Sequence, residues 1–239
     1  MRALLTLPLA LAWTAGVGVP SAVCGVFDRS GRLPWRLART WGRVLLRTWG
    51  VRVEVKGAEH VPAGPAVYAA NHVSALDIPV LFGHLPAEFR VIHKQSLYWA
   101  PVVGPYLYLG GHIGIHRGRP FRARKSLERA AARIRGGTSV AVFPEGTRSG
   151  DATVRGFKRG SFVIAIQAGV PVVPVSLSGV KKVVPHGLLL LTPGTVTMTL
   201  HAPEPTSGLA VDDAPALAER VRRAVASAVS EDRVIEARA

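Results

Sequence analysis

The sequence predicts an α/β fold, one sheet covered by helices over residues 51–239, preceded by an N-terminal helical segment of different character over residues 1–50. Three observations predict it. From residue 51 onward short apolar runs of strand length alternate with stretches of helical periodicity, and that alternation implies a sheet with helices on its faces. No internal repeat and no low-complexity linker divides residues 51–239, so they read as one domain. The first 50 residues instead join a long uncharged run to a regularly spaced series of arginines. A chain of 239 residues with 48% hydrophobic residues can bury a sizeable core, which excludes a disordered polymer. The single cysteine, Cys24, excludes a disulfide framework and a cysteine-based zinc site.

Taking the elements in order, Ala3 to Phe27 carries no charged side chain over 25 residues. As a straight helix it would be about 37 Å long, against roughly 30 Å of bilayer hydrocarbon. Pro8, Gly16, Gly18 and Pro20 interrupt it and suit two short helices dipping into one leaflet equally well. A cleaved signal peptide and a buried core helix are the other readings; the amino end has only Arg2, no A-x-A site follows, and Ser21-Ala22-Val23-Cys24 makes a poor lipobox. A retained membrane anchor is the expectation carried forward.

Arg32, Arg36, Arg39, Arg43 and Arg47 then recur at helical spacing, within an arc of roughly 80° at about 100° per residue. Leu33, Leu37, Trp41, Val44 and Leu45 fall on the other side, Pro34 suits the first turn, and Trp35, Trp41 and Trp49 would sit at headgroup depth. This is the pattern of a basic amphipathic helix on an anionic leaflet, or of a surface helix packing its apolar stripe on the core. The positive-inside rule puts everything after Phe27 on the cytoplasmic side of the cell membrane.

Val51, Val53 and Val55 alternate as a half-buried strand. Further strands are expected at Ala66–Ala70, Phe89–Ile92, Ile113–Ile115, Val140–Phe143, Val172–Leu177 and Val196–Leu200, with helices near 76–83, 121–135, 158–168 and 214–229. The run Leu188–Leu191 is too short to span a bilayer and reads as core strand.

The chemistry gathers in two turns, each after a strand. In Asn71-His72-Val73-Ser74-Ala75-Leu76-Asp77, a strand-to-helix turn exposes His72 while Asp77, at the next helix, can fold back to one ring nitrogen. A carboxylate there fixes the tautomer and leaves the other nitrogen to take a proton; alone, the pair is equally a structural histidine filling a turn. In Phe143-Pro144-Glu145-Gly146-Thr147-Arg148-Ser149, the glycine permits close backbone approach, the hydroxyls and Arg148 suit an anion, and Lys158 and Arg159 head a following helix. Neither turn is a Walker motif or a dinucleotide fingerprint. The net charge of +15, from 24 Arg and 6 Lys against 15 acids, also points to an anionic partner: membrane lipid, phosphate-bearing substrate or nucleic acid.

Together, N-H-V-S-A-L-D at 71–77 and F-P-E-G-T-R-S at 143–149 resemble the signature blocks of the glycerolipid acyltransferases, in the form of the bacterial 1-acyl-glycerol-3-phosphate acyltransferases. Lys94, Leu97, Pro101, Gly104, Gly111 and Ile115 up to Arg117 follow that family's second block, and Gly156–Gly160 with Val170–Val175 its fourth; the likeness covers roughly residues 51–204. The run Ile113-Gly114-Ile115-His116-Arg117 departs from the family pattern just before its Arg.

The resemblance implies a glycerolipid-acyltransferase-like domain that transfers an acyl group from acyl-CoA or acyl-carrier protein to the sn-2 hydroxyl of a lysophosphatidate, making phosphatidic acid. His72, Asp77 and Glu145 would be catalytic, with Glu145 orienting the arginines or the glycerol hydroxyl. Arg117, Gly146, Thr147, Arg148 and Lys158 would hold the phosphate, backbone amides around Gly146 the oxyanion, and Asn71, Ser74 and Lys94 would support oxyanion or acceptor. No cofactor beyond the thioester co-substrate is implied. His112 and His116 have no Asp, Glu or Cys at ligand spacing, so no metal site is expected. The partners implied are lysophosphatidate, the thioester and anionic membrane lipid, which Arg117, Arg119, Arg122, Arg124 and Lys125 would also suit. Another lyso-lipid, such as a lyso-ornithine lipid, is the alternative acceptor. A nucleic-acid-binding protein would account for the charge, but no recognition motif or stacking groove accompanies it.

Overall fold

The computed structural model describes residues 2–28, 30–116, 118, 120–150, 153–185 and 191–236. Two helices come first, α1 (Arg2–Phe27) and α2 (Arg32–Thr48). Then follow β1 (Val51–Lys56), β2 (Val67–Ala70), α3 (Asp77–His84), β3 (Arg90–Lys94), a 3-10 turn (Gln95–Trp99), α4 (Val103–Leu109), β4 (Ile113–Ile115), α5 (Pro120–Arg135) and β5 (Val140–Val142). The chain closes with α6 (Gly160–Ala168), β6 (Val172–Ser178), α7 (Val180–Val183), β7 (Gly194–Leu200) and α8 (Ala214–Glu236). Each strand expected from the sequence, the leucine run apart, is present within a few residues. The helix at 103–109 went unforeseen because seven residues holding a glycine and a proline carry no readable period. Leu188–Leu190 of the leucine run lie outside the described residues, and Leu191 packs against the core.

The strands form one seven-stranded sheet in the order β1-β7-β6-β2-β5-β3-β4. From β6 to β4 all neighbours are parallel, whereas β7 pairs antiparallel with β6 and parallel with β1, so the sheet is mixed. Side chains alternate between its two faces, as the period of two requires. Tyr68 and Ala70 of β2 join a core with Leu45 and Leu46 of α2 and Val80 and Leu81 of α3. Val67 and Ala69 join the opposite core with α5, α6 and α8. On that second face Ser176 and Ser178 donate to Val225 O and Ala228 O of α8 at 2.8 and 3.3 Å.

The N-terminal segment departs from expectation. Residues 2–27 form one helix straight through both prolines, and two of its glycines are contact points instead of breaks. A Cβ on Gly18 would stand 2.8 Å from Val102, and one on Gly25 would stand 2.8 Å from Leu109, so α1 lies along α4. Among the described residues no helix is long and apolar enough to cross a membrane.

The arginine helix packs its apolar stripe on the protein, one of the two readings its pattern leaves open. Its face of Pro34, Ala38, Gly42, Leu45 and Leu46 is buried. Arg39 Nη1 and Arg43 Nε donate to Leu85 O and Gly83 O at 2.9 and 2.8 Å, satisfying carbonyls at the end of α3 where positive charge is favoured. Trp49 is buried, and Trp35 and Trp41 pack against the core. Trp41 Nε1 reaches Thr14 Oγ1 at 3.1 Å. These indoles hold helices together, because the apolar stripe meets α1 and α3.

Candidate active site

In the parallel part of the sheet, the carboxyl ends of β2, β5 and β3 share one edge, where open α/β sheets bind their ligands. Because β2 and β5 are neighbours, the two turns singled out in the sequence come side by side. Three hydrogen bonds join them: His72 N–H donates to Glu145 Oε1 at 2.9 Å, and Ser149 donates to His72 O from its N–H at 2.8 Å and from Oγ at 3.3 Å.

Asp77 opens α3 and turns its carboxylate back into the preceding turn. Its Oδ2 accepts from His72 Nδ1 at 2.7 Å and from the backbone N–H groups of Val73 and Ser74 at 2.8 and 2.9 Å. Asp77 is wholly buried, and the His72 side chain is only 13% exposed. A carboxylate can only accept, so Nδ1 carries the proton and Nε2 is left with its lone pair. The imidazole stacks on Phe143, with ring centroids 4.0 Å apart and planes at 17°. The ring is thus fixed at its edge and on its face, the arrangement of an oriented general base. Phe143 was missed as a site residue; its place beside Glu145 in the motif is the signal that would have found it.

Glu145 is buried, and its Oε1 accepts from the main chain of His72. Desolvation raises its pKa, opposed by the amides of His72 and Arg155 and by the charges of both residues. Gly146 takes a left-handed φ of 77°, and its N–H closes the turn on Phe143 O at 3.0 Å. That amide is thereby engaged within the turn. Lys158 arches over the glycine, with Nζ 2.9 Å from where a Cβ would stand.

The remaining predicted residues divide. Arg148 and Thr147 line the cavity described below, and both are exposed there; Lys94, at the end of β3, also lines it. Arg117 and Arg119 lie outside the described residues. Asn71 turns away: its side chain donates to Leu177 O at 3.0 Å and accepts from Leu177 N–H at 2.8 Å, tying β2 to β6. Ser74 Oγ accepts from Leu76 N–H at 3.3 Å and shapes the turn. His112 is buried and neutral, its pKa pushed well below the ordinary value by desolvation, with Nδ1 accepting from Val91 N–H at 2.8 Å. Among the described residues no group of three His, Cys, Asp or Glu could hold a metal ion.

From His72 a cavity of about 710 Å³ runs beneath the N-terminal helices. Gly146, Thr147 and Arg148 stand with His72 in its lining, and the rest is mostly apolar: Val17, Ile78, Phe82, Val91, Val102 and Tyr106 among others. Burial among these walls raises the pKa of the Tyr106 phenol. A long apolar pocket with a few polar groups and an oriented base suits an amphiphile whose reacting atom lies between chain and headgroup. The walls drawn from α1 and α4 were not legible in the sequence, because nothing local says that these helices meet.

Comparison with known proteins gives this arrangement its context. Residues 52–178 match the family described as Acyltransferase. The chain is 39% identical over 179 residues to the human 1-acyl-sn-glycerol-3-phosphate acyltransferase alpha, covering 74% of this chain and 63% of that protein. It is also 39% identical over 181 residues to a 1-acyl-sn-glycerol-3-phosphate acyltransferase of Chlamydomonas reinhardtii, covering 74% of this chain and 53% of that one. The chain thus spans between half and two thirds of these relatives' length. The crystal structure of the 1-acyl-sn-glycerophosphate acyltransferase PlsC from Thermotoga maritima superposes with a TM-score of 0.77 at 29% identity, over 97% of both chains.

Proposed function

The chain belongs to the acyltransferase family, and from that premise we propose that it is an O-acyltransferase which esterifies the sn-2 hydroxyl of 1-acyl-glycerol-3-phosphate to give phosphatidic acid. The observation that carries this reading is the His72–Asp77 pair, 2.7 Å apart, opening on an apolar cavity that Arg148 also lines. The likeness to proteins named as 1-acyl-sn-glycerol-3-phosphate acyltransferases supports the choice of acceptor.

The mechanism follows from the residue types. Nε2 of His72 takes the proton of the acceptor hydroxyl as its oxygen attacks the thioester carbonyl, and Asp77 stabilises the imidazolium that forms. The tetrahedral intermediate collapses, the C–S bond breaks, and the leaving thiolate takes the proton back from His72. No acyl-enzyme is needed: there is no G-x-S-x-G elbow, and Cys24 lies on α1. Arg148 and Lys158, with Arg117, Thr147 and Lys94, hold the acceptor phosphate, and the turn after Glu145 faces the oxyanion. The apolar cavity takes an acyl chain. Acyl-CoA or acyl-carrier protein is the donor, no further cofactor takes part, and the N-terminal helices keep the domain on the cytoplasmic leaflet of the cell membrane.

The test is thiol release from long-chain acyl-CoA, and then from acyl-carrier protein, by the protein on anionic vesicles with and without lysophosphatidate. Acceptor-dependent release that falls by about 10² to 10⁴ in His72→Ala supports the reading. Absence of release with either donor and every lyso-acceptor would overturn it.

A further inference from the structure

Most of the large hydrophobic side chains exposed among the described residues lie in two rows. Between β3 and β4 the 3-10 turn and α4 present Leu97, Trp99, Val103 and Tyr108 to solvent at 44, 88, 41 and 71% exposure. Alongside runs the carboxyl half of α1, which exposes Val19, Val23, Val26 and Phe27. The seating of Gly18 on Val102 and Gly25 on Leu109 makes the two rows one face. Residues of the same segments, Leu97, Val102 and Val103 from one side and Val17 and Gly18 from the other, line the cavity that leads to His72.

This outward display is built, not frayed. Tyr98, between the two exposed residues Leu97 and Trp99, turns inward: its OH donates to His112 O at 2.8 Å and accepts from Gly114 N–H at 3.0 Å, pinning the segment to β4. A Cβ on Gly104 would stand 2.1 Å from Tyr98 O, so α4 closes tightly on the turn before it. Pro101, Val102 and Val103 form a γ-turn of the strained hand, with Val103 N–H donating to Pro101 O at 2.6 Å and Val102 at φ 61°. A β-branched residue at positive φ persists only where its surroundings over-determine it, and such strain collects at ligand clamps. The cations Lys94, Arg129 and Arg133 are exposed nearby, the two arginines close enough to Tyr98 to act on its phenol.

We propose that the Gln95–Leu109 segment is a second membrane-contacting element, a lip that inserts its apolar row into an anionic phospholipid leaflet beside α1 and opens the cavity directly to the lipid phase. Aromatic and aliphatic side chains with cations nearby suit such a leaflet, the rings lying at the level of the headgroups and the cations at their phosphates. Passage of the acceptor sideways through this lip rests on the function proposed above; the membrane contact itself does not.

The experiment uses the full chain with vesicles of phosphatidylglycerol and phosphatidylcholine carrying a spin-labelled lipid. The fluorescence component lost in Trp99→Phe reports Trp99. The lip requires that component to be quenched by the labelled lipid and shielded from aqueous acrylamide; a Trp99 that stays open to acrylamide on vesicles overturns it. Shielding of Trp99 by acyl-carrier protein without vesicles also overturns it, in favour of a protein dock. The double variant Trp99→Ser, Tyr108→Ser should bind vesicles at least about fivefold more weakly, and unchanged binding counts against the lip. It should lose turnover on vesicle-embedded lysophosphatidate while keeping turnover on a short-chain, water-soluble acceptor. Equal loss on both acceptors would sink the lateral route, whereas a wild-type protein inactive on every acceptor would sink the functional reading and leave the quenching result standing.

Discussion

Glu145 is buried at the joint between the two turns of the site. The resemblance makes it an orienter of the arginines or of the glycerol hydroxyl, and its carboxylate is buried against the backbone of His72, where desolvation raises its pKa. The sign of the stability effect follows. As pH rises past the ordinary 4.5 the unfolded chain ionises before the native one, so the stability Glu145 contributes at low pH is lost as pH climbs through its own raised pKa. Glu145→Gln keeps an oxygen for His72 N–H but does not titrate. Its melting temperature should therefore gain on wild type between about pH 4.5 and neutrality and then run parallel. A variant that loses ground over that range would show that Glu145 works as a charge. The pairing of His72 with Asp77 and the nearness of Arg148 were legible because these residues lie within short motifs. Phe143 stacking and the diversion of Asn71 to Leu177 were not, since each depends on a contact that local sequence does not encode.

At the scale of elements, the contact between α2 and α3 decides how the N-terminal segment meets the domain. Gly42 sits where a Cβ would stand 2.6 Å from Pro79 O and 3.0 Å from Gly83 N, both main-chain atoms that cannot swing aside. Gly42→Ala must push the helices apart, loosening Arg39 and Arg43 from the end of α3, and should cost about 1–3 kcal/mol in denaturant unfolding. No change would mean that the two helices slide freely. The period of the arginines identified the helix correctly but not its partner: the same amphipathic stripe fits a leaflet or a protein core, and Gly42 is the residue that favours a close protein neighbour. The expected strands were found because apolar runs bounded by turns are a local signal. Their order was not, because it depends on crossovers between distant segments.

For the whole molecule, the mixed sheet explains why the chemistry is confined to one stretch of chain. Only the strands from β6 to β4 run the same way, and the described site residues lie in the turns and strand ends at their shared carboxyl edge, between His72 and Lys158. The net charge of +15 acts at this scale too. At an ionic strength of 0.15 M charges are screened beyond about 8 Å. Partition onto phosphatidylglycerol vesicles should accordingly fall with added salt, while the weaker partition onto phosphatidylcholine changes little. Salt-independent binding to both would mean that the cations serve only the folded domain. One consequence follows from the way the two turns are joined. His72 enters that joint through its own N–H and C=O, whatever its side chain, so replacing the imidazole by a methyl group leaves the seam with Glu145 and Ser149 intact. On the function proposed above, His72→Ala is therefore a substrate trap in waiting, a scaffold on which acceptor and thioester would be bound together, unreacted, and seen in a crystal.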